Sequence, residues 1–330
     1  MVVSPTFRTE VPIEPRTHRP LLRHDESLLL CGSCFSDGVG ERLRAAGHDA
    51  LSNPLGTLFN PASIRRAVEL FSAPELASPS QDGGGLWFNF DAGTALSRPT
   101  SADCDDAVAR ALAAGRDQLR RSSLLCITLG SAWAYVDRES GSIVANCHKQ
   151  NSNRFDRRLL GVDECADELR RCIAAARGVG GEGLRALVTV SPVRHWREGA
   201  VESSRSKAHL LSAAHEVIDS DDTAEYFPSY EIMMDELRDY RWYDRDMLHP
   251  SAAAVDYVFE QLMKSHFSRD DDELRAAVLA LTRAAAHRPL HPESDGAAAF
   301  RAAQRRAADE LLARHPHVER ALAPLRASFE

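Results

Sequence analysis

The chain has 330 residues, 44% of them hydrophobic, and a formal net charge of −8, enough material for two average domains or for one α/β domain with a helical extension. Its acidic balance, with arginines interleaved among acids rather than clustered, argues against a phosphate-backbone binder and so against a nucleic-acid partner. No window approaches the roughly 18 apolar residues of a membrane span, the N-terminus lacks a basic-then-apolar leader, and seven cysteines, an odd number in a chain of this size, do not make a disulfide framework, so a cytoplasmic protein with reduced thiols is expected.

Residues 1–26 are polar and proline-punctuated and read as an irregular N-terminal arm. A short apolar strand at 27–31 runs into a glycine turn, followed by a helix at 36–46 that stops at Gly47. A strand at 50–53 precedes a helix at 61–71, and the Gly-, Ser- and Asp-rich stretch 78–101 reads as a long surface insertion. An Ala/Arg helix at 105–121 leads to the strand 124–129, a helix at 163–177 to the strand 186–193, and a last extended piece spans 225–230. The runs LLCITL and ALVTV are continuously apolar rather than alternating, which suits parallel strands covered on both faces. The expected fold is a three-layer α/β/α sandwich on a five-stranded parallel sheet, flavodoxin-like, with a body at 27–268. A C-terminal extension at 269–330 is expected to carry helices near 271–286 and 296–314, linked by 287–293. These would pack on the body or on a second subunit, giving a homodimer.

Two stretches carry the strongest chemical signal. In Gly32-Ser33-Cys34, the thiol stands between a strand and a helix start, where a helix dipole and a neighbouring imidazolium would lower its pKa and make a nucleophile. A small buried cysteine is the plain alternative. In Asp246-Met247-Leu248-His249-Pro250, a spacing of three lets a carboxylate orient an imidazole from one turn, and Pro250 is expected to open a helix running to about residue 266. The alternative is an aspartate that caps a turn and a surface histidine. Asn53-Pro54-Leu55-Gly56 offers a glycine amide that can approach a developing oxyanion, while Asn60-Pro61 reads as a helix cap. Strand ends supply Gly130-Ser131-Ala132 and Ser191-Pro192-Val193-Arg194-His195, and strand ends are where α/β sheets place their sites. There Arg194 suits a carboxylate or phosphate of a substrate, and His195 is a rival base to His249.

Read in register, Gly32-x-Cys34-x-x-x-Gly38-x-Gly40 is similar to the first block of the SGNH (GDSL) hydrolases, with Cys34 in the seat of their serine nucleophile. Asp246-x-x-His249 resembles their last block. Gly32-Ser33-Cys34-Phe35-Ser36 resembles the signature after which the bacterial GSCFA family is named. Asn146-Cys147-His148-Lys149, the Arg194-His195 strand end, Ser206-Lys207, 226–231 and 235–241 strengthen the match, over roughly residues 7–265. The resemblance implies an SGNH-like fold with Cys34 as nucleophile, His249 as base, Asp246 as its orienter, and Gly56 with Ser131 as oxyanion donors. It also implies Ser33, Asn146, His148, Arg194, His195 and Lys207 as substrate contacts. The third SGNH block, Gly-x-Asn-Asp, is absent: Ala132 stands where its asparagine would be, so Ser131, a backbone amide or Asn146 has to substitute. The implied activity is ester or thioester hydrolysis or acyl transfer on a small-molecule or carrier-bound acyl substrate, with no cofactor. Two other readings are a binding module on a degenerate hydrolase scaffold, and a zinc enzyme using Cys34, Cys147, His148, His195 or His249.

Overall fold

The computed structural model describes residues 10–13 and 21–329; most of the expected N-terminal arm lies outside the described residues. Five parallel strands form the central sheet: β1 (Ser27–Gly32), β2 (Ala50–Ser52), and three more introduced below. Between them run α1 (Cys34–Ala45) and α2 (Pro61–Ser72), then a short antiparallel hairpin of β3 (Ser80–Gln81) and β4 (Trp87–Phe88). The long α3 (Ser101–Arg121) leads directly into β5 (Ser122–Leu129). A separate three-stranded antiparallel sheet follows, made of β6 (Trp133–Asp137), β7 (Ile143–Val144) and β8 (Phe155–Leu159). The chain returns through α4 (Val162–Gly180) to β9 (Arg185–Val190), then α5 (Gly199–Ser220) and β10 (Ala224–Tyr226). A helical turn, α6 (Ser229–Glu231), and α7 (Ala252–His266) complete the body, and α8 (Asp272–Ala286), α9 (Asp295–Arg314) and α10 (Glu319–Ser328) form the C-terminal extension.

The strand order β10-β9-β5-β1-β2 is the flavodoxin-like arrangement. The apolar runs form this sheet because both faces are covered and period-two alternation feeds two separate cores. Leu29, Cys31, Leu125, Ile127 and Val188 pack beneath α2, α3, α4 and α5. Their neighbours Leu28, Leu30, Leu124, Cys126 and Leu187 pack against Phe35, Val39 and Leu43 of α1 and Ala254, Val258 and Leu262 of α7. The crossovers leave β1 in opposite directions, to β2 on one side and eventually to β5 on the other. A crevice therefore opens at the carboxyl ends of β1 and β5.

Several local differences have capping causes. Helix α1 starts at Cys34, two residues earlier than the apolar spacing predicts, because Ser33 caps it. Pro250 does not open α7; Ser251 is the cap, its hydroxyl accepting the Ala254 N–H at 3.3 Å, so the proline precedes the helix. The stretch 78–101 is more than a surface insertion, since Phe88, Asn89 and Ala92 are buried in it. The helices of the extension bury Leu274, Val278, Leu281, Leu311 and Leu322 against one another, and α8 ties to the body through Thr282, whose hydroxyl donates to the Ala45 carbonyl at 3.0 Å. Among the described residues no helix is long and apolar enough to cross a membrane.

Candidate active site

Strand β1 is buried at every position and ends at Gly32, whose φ of +139° and close packing admit nothing larger: a Cβ there would lie 2.1 Å from the Thr128 carbonyl oxygen. Ser33 N–H then donates to that same carbonyl at 3.0 Å. Its hydroxyl accepts the Phe35 N–H at 3.3 Å as the N-cap of α1, and the residue is wholly buried. Ser33 is spent on folding and does not line the cleft, which corrects its expected contact role. Cys34 follows as the first residue of α1, half-buried, with its side chain on a cleft of about 820 Å³, a size ordinary for a small-molecule site.

His249 lines the same cleft. The turn that carries it is held by Asp246, whose Oδ1 accepts the Leu248 and His249 amides at 2.8 and 2.9 Å while Oδ2 accepts the His249 Nδ1–H at 2.6 Å. Between them Met247 sits at a φ of +61°, a conformation that is costly for a side chain with a Cβ. The two amides and the imidazole together hold the Asp246 carboxyl down at about 2. Cap and orienter are thus one residue. With Nδ1 donating to the carboxylate, Nε2 is the nitrogen left to accept a proton. Leu248 is tied to the end of β9 by the Arg194 N–H at 3.0 Å, which brings this loop beside Arg194 and His195.

The thiol is not activated at rest. Burial, and then the Asp37 carboxylate on the same helix, raise the Cys34 pKa; the amides of Cys34 and Phe35 and the Lys207 ammonium pull the other way and do not prevail. This overturns the expectation of a depressed pKa. Among the described residues no hydrogen bond joins Cys34 to His249.

Gly56 is the clearest correction. Asn53-Pro54-Leu55-Gly56 is a β-turn, and its closing bond takes the Gly56 N–H to the Asn53 carbonyl at 2.8 Å. Gly56 is glycine for its φ of +87° and because a Cβ would meet Gly93 Cα at 2.9 Å, so the amide is not free for an oxyanion. The next residue, Thr57, lines the cleft, and its N–H has no protein acceptor among the described residues. The signal was local: proline second and glycine fourth in a turn consume the glycine's own amide. Ser131 lines the cleft, but its N–H is taken by the Phe59 carbonyl at 2.8 Å. Its hydroxyl accepts the Trp133 N–H at 3.1 Å and shares one hydrogen with Ser206 across 3.2 Å.

Besides Ser33, two expected substrate contacts lie away from the cleft wall. His148 is 3% exposed, stacks on Phe88 at 4.2 Å and shares Nε2 with the Ala92 carbonyl at 3.0 Å; it fastens the β3–β4 segment. Lys207 is buried on α5 and donates to the Gly130 and Ser191 carbonyls at 2.7 and 2.6 Å, bracing the ends of β5 and β9, and burial brings its pKa down to about 7. Asn146, Arg194 and His195 do line the cleft. His195 has a buried Nε2 with no partner among the described residues, and burial, with help from Lys207 and His249, lowers its pKa to about 4. Asn60 is the plain helix cap its Asn-Pro pair indicates, accepting the Ser63 N–H at 2.8 Å. Among the described residues no trio of His, Cys, Asp or Glu is gathered for a metal ion. The antiparallel sheet adds Trp133 and Tyr135 to the cleft, and the loop after β9 adds Trp196 and Arg197. These contacts depend on tertiary closure.

Fold and cleft together define a three-layer α/β protein that gathers a cysteine and an Asp–His pair at the carboxyl edge of a parallel sheet. The GSCFA family model matches residues 27–262, and the chain belongs to the GSCFA family. No curated protein matches the chain. The match ends short of α8, leaving the C-terminal extension outside it.

Proposed function

We propose that the protein transfers acyl groups from an ester or thioester through an acyl-Cys34 intermediate. The observation that carries this reading is the shared cleft of Cys34, at the head of α1, and His249, oriented by Asp246 at 2.6 Å. His249 Nε2 takes the thiol proton as sulfur attacks the carbonyl carbon, and the imidazolium is stabilised by Asp246. The oxyanion is received by backbone amides, for which the unspent N–H groups of Cys34 and Thr57 are suited. Collapse breaks the carbon–heteroatom bond of the donor, and the leaving group takes the proton from His249. Water or an acceptor, deprotonated by the same histidine, then attacks the thioester and restores the thiol. A raised resting pKa fits this order, since the proton then leaves during attack. His195 is a poor base at a pKa of about 4. Because exchange between two thioesters is nearly balanced, a cysteine suits transfer at least as well as hydrolysis.

Intact-protein mass spectrometry after incubation with acyl thioesters and p-nitrophenyl esters tests this directly. The wild type is expected to gain one acyl mass that Cys34→Ala does not, and its lifetime in water against added acceptors separates hydrolase from transferase. Turnover retained by Cys34→Ala ends the proposal. A second reading, a non-catalytic binding module, is favoured by one observation, the thiol held protonated by burial and Asp37; no adduct and no turnover across the panel would move the weight there.

A further inference from the structure

The wall of the cleft formed by the antiparallel sheet and the loop after β9 holds two arginines that no carboxylate among the described residues neutralises. Arg194 and Arg197 line the cleft, and among the described residues neither has an acidic partner within salt-bridge distance. Each is instead laid on an aromatic face: Arg197 over Tyr135 at 5.2 Å and Arg194 over Trp196 at 5.9 Å. Arg194 also reaches the Met234 sulfur at 3.7 Å through one Nη, a weak acceptor that leaves its charge unanswered. Arg157 approaches Tyr135 at 5.8 Å and Trp133 at 5.2 Å, but it is paired with Glu198, so the acid on this wall is already used. A guanidinium over an aromatic face is attracted to the ring while most of its N–H edge stays unspent, and that planar fork grips oxyanions in pairs. One carboxylate satisfies one such fork. Two unpaired forks beside the exposed Trp196 indole and the half-buried Tyr135 phenol call for a group with at least two anionic oxygens, attached to something that tolerates an apolar, aromatic surface.

We infer that the donor is an acyl thioester on a phosphorylated carrier, its phosphate held by Arg194 and Arg197 at the aromatic wall while the thioester lies at Cys34. For the reacting end this rests on the acyl-transfer reading above; the phosphate grip does not. The phosphate can belong to a nucleotide-bearing thiol or to a simple phosphopantetheine arm, and the same chemistry serves both.

Calorimetric titration of the full-length Cys34→Ala protein with coenzyme A, 4′-phosphopantetheine and unphosphorylated pantetheine tests the inference. Both phosphorylated thiols are expected to bind, with pantetheine weaker by about tenfold or more. In the Cys34→Ala background, Arg194→Gln and Arg197→Gln are each expected to weaken the phosphorylated ligands about tenfold and leave pantetheine unchanged. Coenzyme A binding more tightly than phosphopantetheine assigns the aromatic wall to the nucleotide, and equal binding assigns the grip to the single phosphate; either supports the inference. Equal affinity for pantetheine, unchanged binding in both folded arginine variants, or no binding of any of the three overturns it. Since Cys34→Ala cannot form an acyl-enzyme, this result stands or falls apart from the mass adduct.

Discussion

Asn53 holds both sides of the turn that presents Cys34: its Oδ1 accepts the Gly32 N–H at 2.8 Å and its Nδ2 donates to the Ser33 carbonyl at 3.3 Å. It does so from a φ of +44°, a conformation asparagine tolerates better than most residues. Asn53→Ala removes both bonds and strains the backbone, so it is expected to cost about 1–3 kcal/mol in urea unfolding. Misplacing the sulfur by even ~1 Å is expected to cost on the order of 100-fold in acylation rate. A variant that loses stability but keeps full rate would show that the turn holds itself.

Asp37 sets the resting state of the thiol together with burial. Removing its negative charge favours the thiolate, so Asp37→Asn is expected to move the midpoint of Cys34 alkylation by iodoacetamide to lower pH and to speed alkylation at pH 7.5. In the wild type the midpoint is expected above the roughly 8.5 of a free thiol. A wild-type midpoint below that value, or one that Asp37→Asn leaves in place, would contradict an electrostatic origin for the protonated thiol.

What could be read from residues alone follows from how local each cause is. Strands β1, β5 and β9 were legible because burial on both faces writes an uninterrupted apolar run, and the Asp246–His249 pairing because its spacing closes within one turn. Helix α5 is not among the expected elements, although Leu210, Ala213, Ala214, Val217 and Ile218 are buried at helical spacing. The antiparallel sheet is harder to read, since β7 has two residues and β8 is largely exposed. Gly56 shows the opposite case: a glycine stands where an oxyanion donor is expected, but the turn beside it claims its amide. The roles of Lys207 and Asn53 depend on carbonyls and amides 16 to 77 residues away, which no spacing rule brings together.

Lys207 joins the ends of β5 and β9, and Lys207→Met leaves the Gly130 and Ser191 carbonyls without their donor. A loss of about 2–4 kcal/mol is expected at pH 7, from two buried acceptors at about 1–2 kcal/mol each. The loss should grow with pH. With the folded pKa at about 7 against an ordinary 10.5, the unfolded chain holds a proton in that window that the folded protein lacks. The lysine's contribution is therefore fully present above pH 10.5 and falls as pH drops toward 7. Unfolding of wild type and variant at pH 7 and pH 9.5 measures this; a difference that shrinks with pH would contradict it.

The C-terminal extension meets the body at a histidine cluster. His24 and His48, 3% and 2% exposed, stack at 4.3 Å, and His317 approaches His24 edge-on at 5.4 Å. Neither ring nitrogen of His48 has a partner among the described residues. Burial lowers both pKa values, His48 the further; His24, Arg275 and His317 add to this for His48, while at His24 the Ala46 carbonyl and Asp271 partly oppose it. Both imidazoles are therefore neutral in the folded state where the unfolded chain, at about 6.5, begins to bind protons. Their stabilising contribution is whole above that pH and is lost as pH falls toward the folded values. Because the cluster joins the loop after α1 to the segment before α10, the loss is expected to appear first as undocking. Amide exchange in α8–α10 should quicken between pH 7.5 and pH 5, once corrected for intrinsic rates, while β1 and β5 stay protected. His48→Phe, which fills the site without a titrating group, is expected to flatten that dependence; exchange that quickens equally in the variant would place the pH sensitivity elsewhere.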